Sequence, residues 1–192
     1  MPNWCDNTLT ISGSKEQIDS LEKVINDFEN TEILEDAAFF GHYVPVTEED
    51  QTVWGQATAW GTKWEPQIYD WYRDEDSVII QMSTAWGPPI EFYNEMEEKH
   101  NFSIQASYYE PGMCFVGEYD GEHFDYAEMS SEDIRSEIPN WLDEMYGISE
   151  GLAEWEEEER KDREEEARQK VKEEQLEFDY DRYNGGVEDF GK

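Results

Sequence analysis

Trp54-Gly-Gln-Ala-Thr-Ala-Trp60-Gly-Thr-Lys63-Trp64-Glu-Pro66 opens the stretch on which the fold turns. It continues through Gln67 to Tyr72, Arg73-Asp-Glu-Asp76, Ser77 to Thr84 and Ala-Trp86-Gly-Pro-Pro89. Five of the eight tryptophans fall inside it: Trp54, Trp60, Trp64, Trp71 and Trp86. An indole brings a large apolar area and one N–H that needs a partner, so this density predicts the closing point of a core. Gln67–Tyr72 and Ser77–Thr84 alternate at period two around the acidic turn, which predicts a hairpin. Pro88-Pro89 then precede Ile90, Tyr93, Met96 and Glu97, a helix face whose first turn tolerates a proline without an N–H.

Working outward, Trp4 to Ile11 places Cys5, Asn7, Leu9 and Ile11 on one side of a half-buried strand. Ser14 with Gln17 three residues on predicts a capped helix carrying Ile18, Leu21, Ile25 and Phe28. Thr31 to Gln56 has poor periodicity and reads as a long crossing loop, with a helical turn near Phe39-Phe40. Downstream, Phe102–Tyr109, Met113–Tyr119 and Glu122–Met129 read as strands, the last two joined by an Asp120-Gly121 type I′ turn. The order β-α-β-β-α-β with added strands predicts an α+β, ferredoxin-like split β-α-β sandwich over residues 1–130. Residues 131–192 form a second region. Ser131-Glu132-Asp133 starts a short helix, and a long acidic helix from Ser149 to Phe178, with a loosely held end from Asp179, is supported by i,i+4 pairs such as Glu164 with Arg168. Its apolar content is too sparse for a sustained heptad seam.

Charge is the outlying property. Of the 192 residues 49 are acidic and 14 basic, a formal net charge of −35, while 37% hydrophobic and 15% aromatic content supplies a core. Residues 1–129 hold 27 acids and 5 cations (Lys15, Lys23, Lys63, Arg73 and Lys99), a net of −22. Such a body repels nucleic acid and anionic membranes and attracts basic surfaces. The N-terminus carries no signal-peptide pattern and no apolar run is long enough to span a bilayer, so a cytoplasmic protein is expected.

Catalytic and metal chemistry find little footing. Cys5, Cys114, His42, His100 and His123 are the soft ligands, and none is paired at zinc-site spacing; both cysteines read as buried reduced thiols. No nucleophile elbow, phosphate loop or calcium loop is present, so no cofactor and no enzymatic activity are expected. Two binding readings remain, beside a structural or assembly role that would use the long C-terminal helix. The first uses exposed carboxylates at Glu48, Glu49 and Asp50, at Asp74, Glu75 and Asp76, and at Glu154, Glu156, Glu157, Glu158 and Glu159 as a mimic of DNA phosphates for a basic, nucleic-acid-binding host protein. The second uses Trp60, Lys63, Trp64 and Trp86 as an aromatic face for stacking bases, as RNA-recognition modules do. Against the second, Lys63 is the one cation between Lys23 and Arg73, which suits core tryptophans with the lysine stem lying over an indole.

Several motifs also carry a resemblance: Met-Pro-Asn-Trp-Cys at 1–5, Asn7, Trp-Gly-Thr-Lys-Trp at 60–64, Thr-Ala-Trp-Gly-Pro-Pro at 84–89, Tyr-Glu-Pro-Gly at 109–112, Phe115 and Gly117. Over roughly residues 1–150 the chain resembles the Api92-like family of bacteriophages and plasmids, also known as the YubB ferredoxin-like family. The resemblance implies a ferredoxin-like domain on a mobile element and transfers no catalytic residue.

Overall fold

The structure, a computed structural model, describes residues 3–30, 38–47, 49 and 51–184. Its chain divides into two compact units, Met1–Met129 and Ser130–Lys192.

In the first unit a six-stranded antiparallel sheet has the order β2-β3-β1-β4-β5-β6. The strands are β1 Trp4–Ser12, β2 Gln67–Arg73, β3 Ser77–Ala85, β4 Ser103–Glu110, β5 Phe115–Glu118 and β6 His123–Asp125. Alternation fixes the register: Leu9 faces Ile80 on one side and Ala106 on the other, and Ile11 faces Val78 and Ile104. Those side chains therefore share one sheet face. Helices α1 (Lys15–Glu29) and α4 (Ile90–Glu98) bury Ile18, Leu21, Val24 and Ile25, and Phe92, Tyr93 and Met96. Helix α1 starts with the expected reciprocal cap, the Gln17 N–H donating to Ser14 Oγ and the Ser14 N–H to Gln17 Oε1.

The aromatic centre of the core differs from the tryptophan cluster that composition suggests. Phe39, Phe40 and Phe92 meet with ring centroids 4.4 to 5.6 Å apart, all three fully buried. Trp54 is 80% exposed. The crossing segment is also more helical than its periodicity indicates. It holds α2 (Phe40–Tyr43) and α3 (Val53–Trp60), the latter capped by the Thr52 side chain and ended by Gly61 at φ 81°.

The C-terminal strands are shorter than predicted. Strand β6 covers three residues, and β5 starts at Phe115 because Cys114, at φ 57°, still belongs to the preceding turn. Cys114 is accordingly half-buried outside a strand, whereas Cys5 is buried within β1. At the β5–β6 turn Asp120 takes positive φ and Gly121 does not, so the turn is not type I′.

In the second unit α5 (Ser131–Glu137), α6 (Asn140–Tyr146) and α7 (Ile148–Asn184) follow one another, α7 continuing past the expected end at Phe178 through Asp179 to Asn184. Ile134, Ile138, Leu142 and Ile148 are buried, and from Glu158 to Tyr180 every residue of α7 is exposed. No helix among the described residues is long and apolar enough to cross a membrane.

Candidate functional site

Two surface features carry the residues singled out above. The first is a cluster of indoles around Lys63. Gly61 turns the chain out of α3, and Thr62, buried, donates its hydroxyl to the Ala85 carbonyl at 2.9 Å. That bond ties the segment after α3 to the end of β3. Lys63 then lies over the Trp86 ring, with its ammonium 5.7 Å from the Trp64 ring centroid. Trp64 meets Trp4 edge-on at 6.2 Å. Loss of hydration pulls the Lys63 pKa below the ordinary lysine value.

Trp86 itself sits at φ 73°, a conformation rare for a bulky residue, fixed where its N–H donates to the Asn3 carbonyl at 2.9 Å. The expected aromatic face therefore divides. Trp64 and Trp86 belong to the cluster, Trp86 being 48% exposed. Trp60 is 3% exposed and donates its indole N–H to the Val44 carbonyl at 2.8 Å, which removes it from any surface platform.

The second feature is the carboxylate surface. Asp74, Glu75 and Asp76 are exposed on the β2–β3 turn, and Glu49 is exposed in the crossing segment; Glu48 and Asp50 lie outside the described residues. In α7 the five predicted acids are not equivalent. Glu156 accepts the N–H and hydroxyl of Ser131 at 2.9 and 2.8 Å, capping α5, and those bonds hold its pKa below the usual carboxylate range. Glu157 pairs with Arg160 and Lys161, and Glu159 with Arg163. Glu154 and Glu158 are exposed without an ion pair among the described residues.

The cations of the first unit are largely engaged. Arg73 bridges Asp19 at 2.6 Å and also Glu22; Lys99 pairs with Glu95 at 2.6 Å; Lys63 is stacked. Lys15 and Lys23 on α1 are the exposed cations without an ion pair among the described residues of this unit. Outward-facing acids that the sequence reading did not single out, Glu16, Asp27 and Glu29 on α1 and Glu91 and Glu98 on α4, add to the field. Their signal is the amphipathic periodicity of these helices, which sends them to the face opposite the buried residues.

A half-buried and a buried carboxylate have structural work instead. Glu65 accepts the N–H groups of Phe39, Phe40 and Gly41 at 3.0, 2.7 and 2.8 Å. Burial pushes its pKa up, while the three bonds oppose that rise. Glu110, 1% exposed, takes the N–H groups of Gly112 and Met113 and shapes the turn leading to β5. Asn7 plays a comparable part: its amide donates to the Cys5 carbonyl and to Thr84 Oγ1, and Tyr93 donates to its oxygen. The separated motifs thus meet in hydrogen-bond knots of the fold. A hollow of about 640 Å³ beside Trp64 is lined by residues including Val46, Gln56, Glu65 and Gln67. Glu65, the acid in that lining, is committed to α2. No group of three or more His, Cys, Asp or Glu side chains that could hold a metal occurs among the described residues.

Comparison with family models, with curated proteins and with solved structures finds no match for this chain.

Proposed function

We propose that this chain is a non-catalytic, anionic binding protein of a bacteriophage or other mobile element. It occupies the basic nucleic-acid cleft of a host defence, restriction or transcription protein in the bacterial cytoplasm. The observation that carries the reading is the imbalance of the first unit, where 27 acids face 5 cations. Arg73 and Lys99 are neutralised internally and Lys63 is stacked, so little opposes the outward negative field. Carboxylates spread over a folded surface can stand in for phosphates, and a basic cleft supplies the complementary potential.

The strand order supports a ferredoxin-like scaffold for that surface. Strand β1 lies between β3 and β4 and antiparallel to both, which leaves β1 and β2 parallel with β3 between them. Helices α1 and α4 lie in the two crossover connections of this split β-α-β pattern.

The test is an affinity capture with the tagged chain from bacterial lysate at low and high salt. A companion chain carries Asp74→Lys, Glu75→Lys, Asp76→Lys, Glu154→Lys and Glu158→Lys. A nucleic-acid-binding protein released by salt and lost with the variant is expected. Equal capture by both chains would overturn the reading.

The half-exposed Trp86 favours a second reading, in which Trp64, Trp86 and Lys63 stack single-stranded bases. Quenching of tryptophan emission by single-stranded DNA that disappears in Trp86→Ala supports it. Unchanged emission rules it out.

A further inference from the structure

The C-terminal helix divides into charge blocks. Residues 148–159 carry six acids and no cation; 160–172 carry six cations and four acids; 173–184 carry five acids and one cation. The net charges are −6, +2 and −4. Within α7 the ion pairs join residues from Glu157 to Arg168. Lys170, Lys172, Glu173, Glu174 and Glu177 are exposed and have no ion pair among the described residues. Intrahelical pairing therefore ends at Arg168, ahead of the −4 block.

Ala167, Val171, Glu174 and Phe178 are spaced by four, three and four residues, so at about 3.6 residues per turn they form one narrow strip. All four are exposed, Val171 at 59% and Phe178 at 66%. Most helical stability in proteins comes from packing an apolar face, which leaves this exposed strip in want of a partner.

We infer that α7 pairs with α7 of a second copy of this chain, antiparallel, about a two-fold axis between Lys172 and Glu173. In that register Ala167 of one copy meets Phe178 of the other, a small residue against a large one, and Val171 meets Glu174. The +2 block of each helix lies along the −4 block of its partner. Lys170 and Glu177 flank the strip on the same side and face each other across the axis, giving two ion pairs by symmetry. A parallel pair would set like blocks side by side. The antiparallel pair also separates the two most acidic blocks: at about 1.5 Å per residue the Ile148 ends lie roughly 70 Å apart. That is far beyond the screening length of about 8 Å at physiological ionic strength. The association is modest because the strip holds only three apolar residues.

Sedimentation velocity on the full chain over a concentration series tests this, with Lys170→Glu, Glu177→Lys and the double exchange. The native chain should show a concentration-dependent dimer, each single exchange should weaken it at least tenfold, and the double exchange should restore it. The double exchange leaves the net charge unaltered, so restoration separates specific pairing from general repulsion. These exposed positions do not contribute to any core, and circular dichroism confirms that the variants stay folded. A native chain that is monomeric throughout the series, or a double exchange as weak as the singles, overturns the inference.

Discussion

The tripeptide Ala-Trp-Gly occurs twice in this chain, at 59–61 and at 85–87, and the two copies meet opposite fates. In the first, Gly61 takes the left-handed conformation at φ 81° and Trp60 is buried against Phe40, ring centroids 5.8 Å apart. In the second, Trp86 itself takes φ 73°, and its ring stays half-exposed under Lys63. What separates them is the element that ends at each. Trp60 closes a helix whose C-cap is a left-handed glycine, the usual stop. Trp86 follows a strand end pinned by the Asn3 carbonyl, which forces the left-handed turn one residue earlier. Identical local sequence thus yields a core anchor in one place and a surface platform in the other.

The largest effect should come from removing the buried copy. Trp60→Ala opens a cavity and leaves the Val44 carbonyl without its indole donor. A loss of about 3–5 kcal/mol in chemical denaturation is expected. A loss below about 1 kcal/mol would mean that Phe40 and Phe92 close the core without the indole.

Next comes Glu65, whose three accepted N–H groups start the helix that covers Trp60. Glu65→Gln should cost about 1–3 kcal/mol, since an amide sets an NH2 donor where one of the two carboxyl oxygens accepts an N–H. Its pH dependence has a definite sign. Because burial raises the folded pKa above the unfolded value, the stability contributed by Glu65 is fully present below the ordinary carboxylate pKa. It is lost as pH rises through the folded value, so the penalty of Glu65→Gln should be larger in acid than at neutral pH. Urea denaturation at both pH values checks it.

For the exposed copy, Trp86→Gly should change stability by no more than about 1 kcal/mol. Release of a left-handed non-glycine residue, worth about 1–2 kcal/mol, offsets the lost cation–π contact of about 0.5–1 kcal/mol. Trp86→Ala keeps the backbone strain and loses the stack, so it should be the less stable of the two. The reverse order would show that Trp86 is not strained.

The smallest effect concerns Glu156, half-buried like Glu65 and likewise an acceptor at a helix start. Its folded pKa is lowered by the Ser131 bonds, so its contribution is present above the ordinary carboxylate value and fades as pH falls through the folded one. Circular dichroism should show Glu156→Gln differing from the native chain near neutral pH and converging with it in acid, opposite in sense to Glu65→Gln.

Much of the architecture is legible in the residues. The alternation of β1, the hairpin around Asp74–Asp76, the capping box at Ser14 and the face of α4 are all local patterns. Helix α3 was hidden because Gly55, Ala57 and Thr58 give no apolar periodicity, and its tryptophans suggest a loop-borne cluster. Among the candidate site residues, exposure of Asp74, Glu75 and Asp76 follows from their turn. The capping duty of Glu156 and the burial of Trp60 do not. Nor do Glu65 and Glu110, which look like surface acids in a sequence with 49 of them.

The sequence by itself determined the charge of each region, the strand and helix periods and the presence of a long terminal helix. These depend on residues two to four positions apart, or on counting alone. Only the tertiary structure decided which indoles are buried, which carboxylates are free and which cations are already neutralised. Apart from i,i+4 pairs such as Lys99 with Glu95, those outcomes rest on partners far along the chain, Glu65 with Phe39, Arg73 with Asp19, Trp86 with Asn3. Folding brings such partners together, and no local period encodes the meeting.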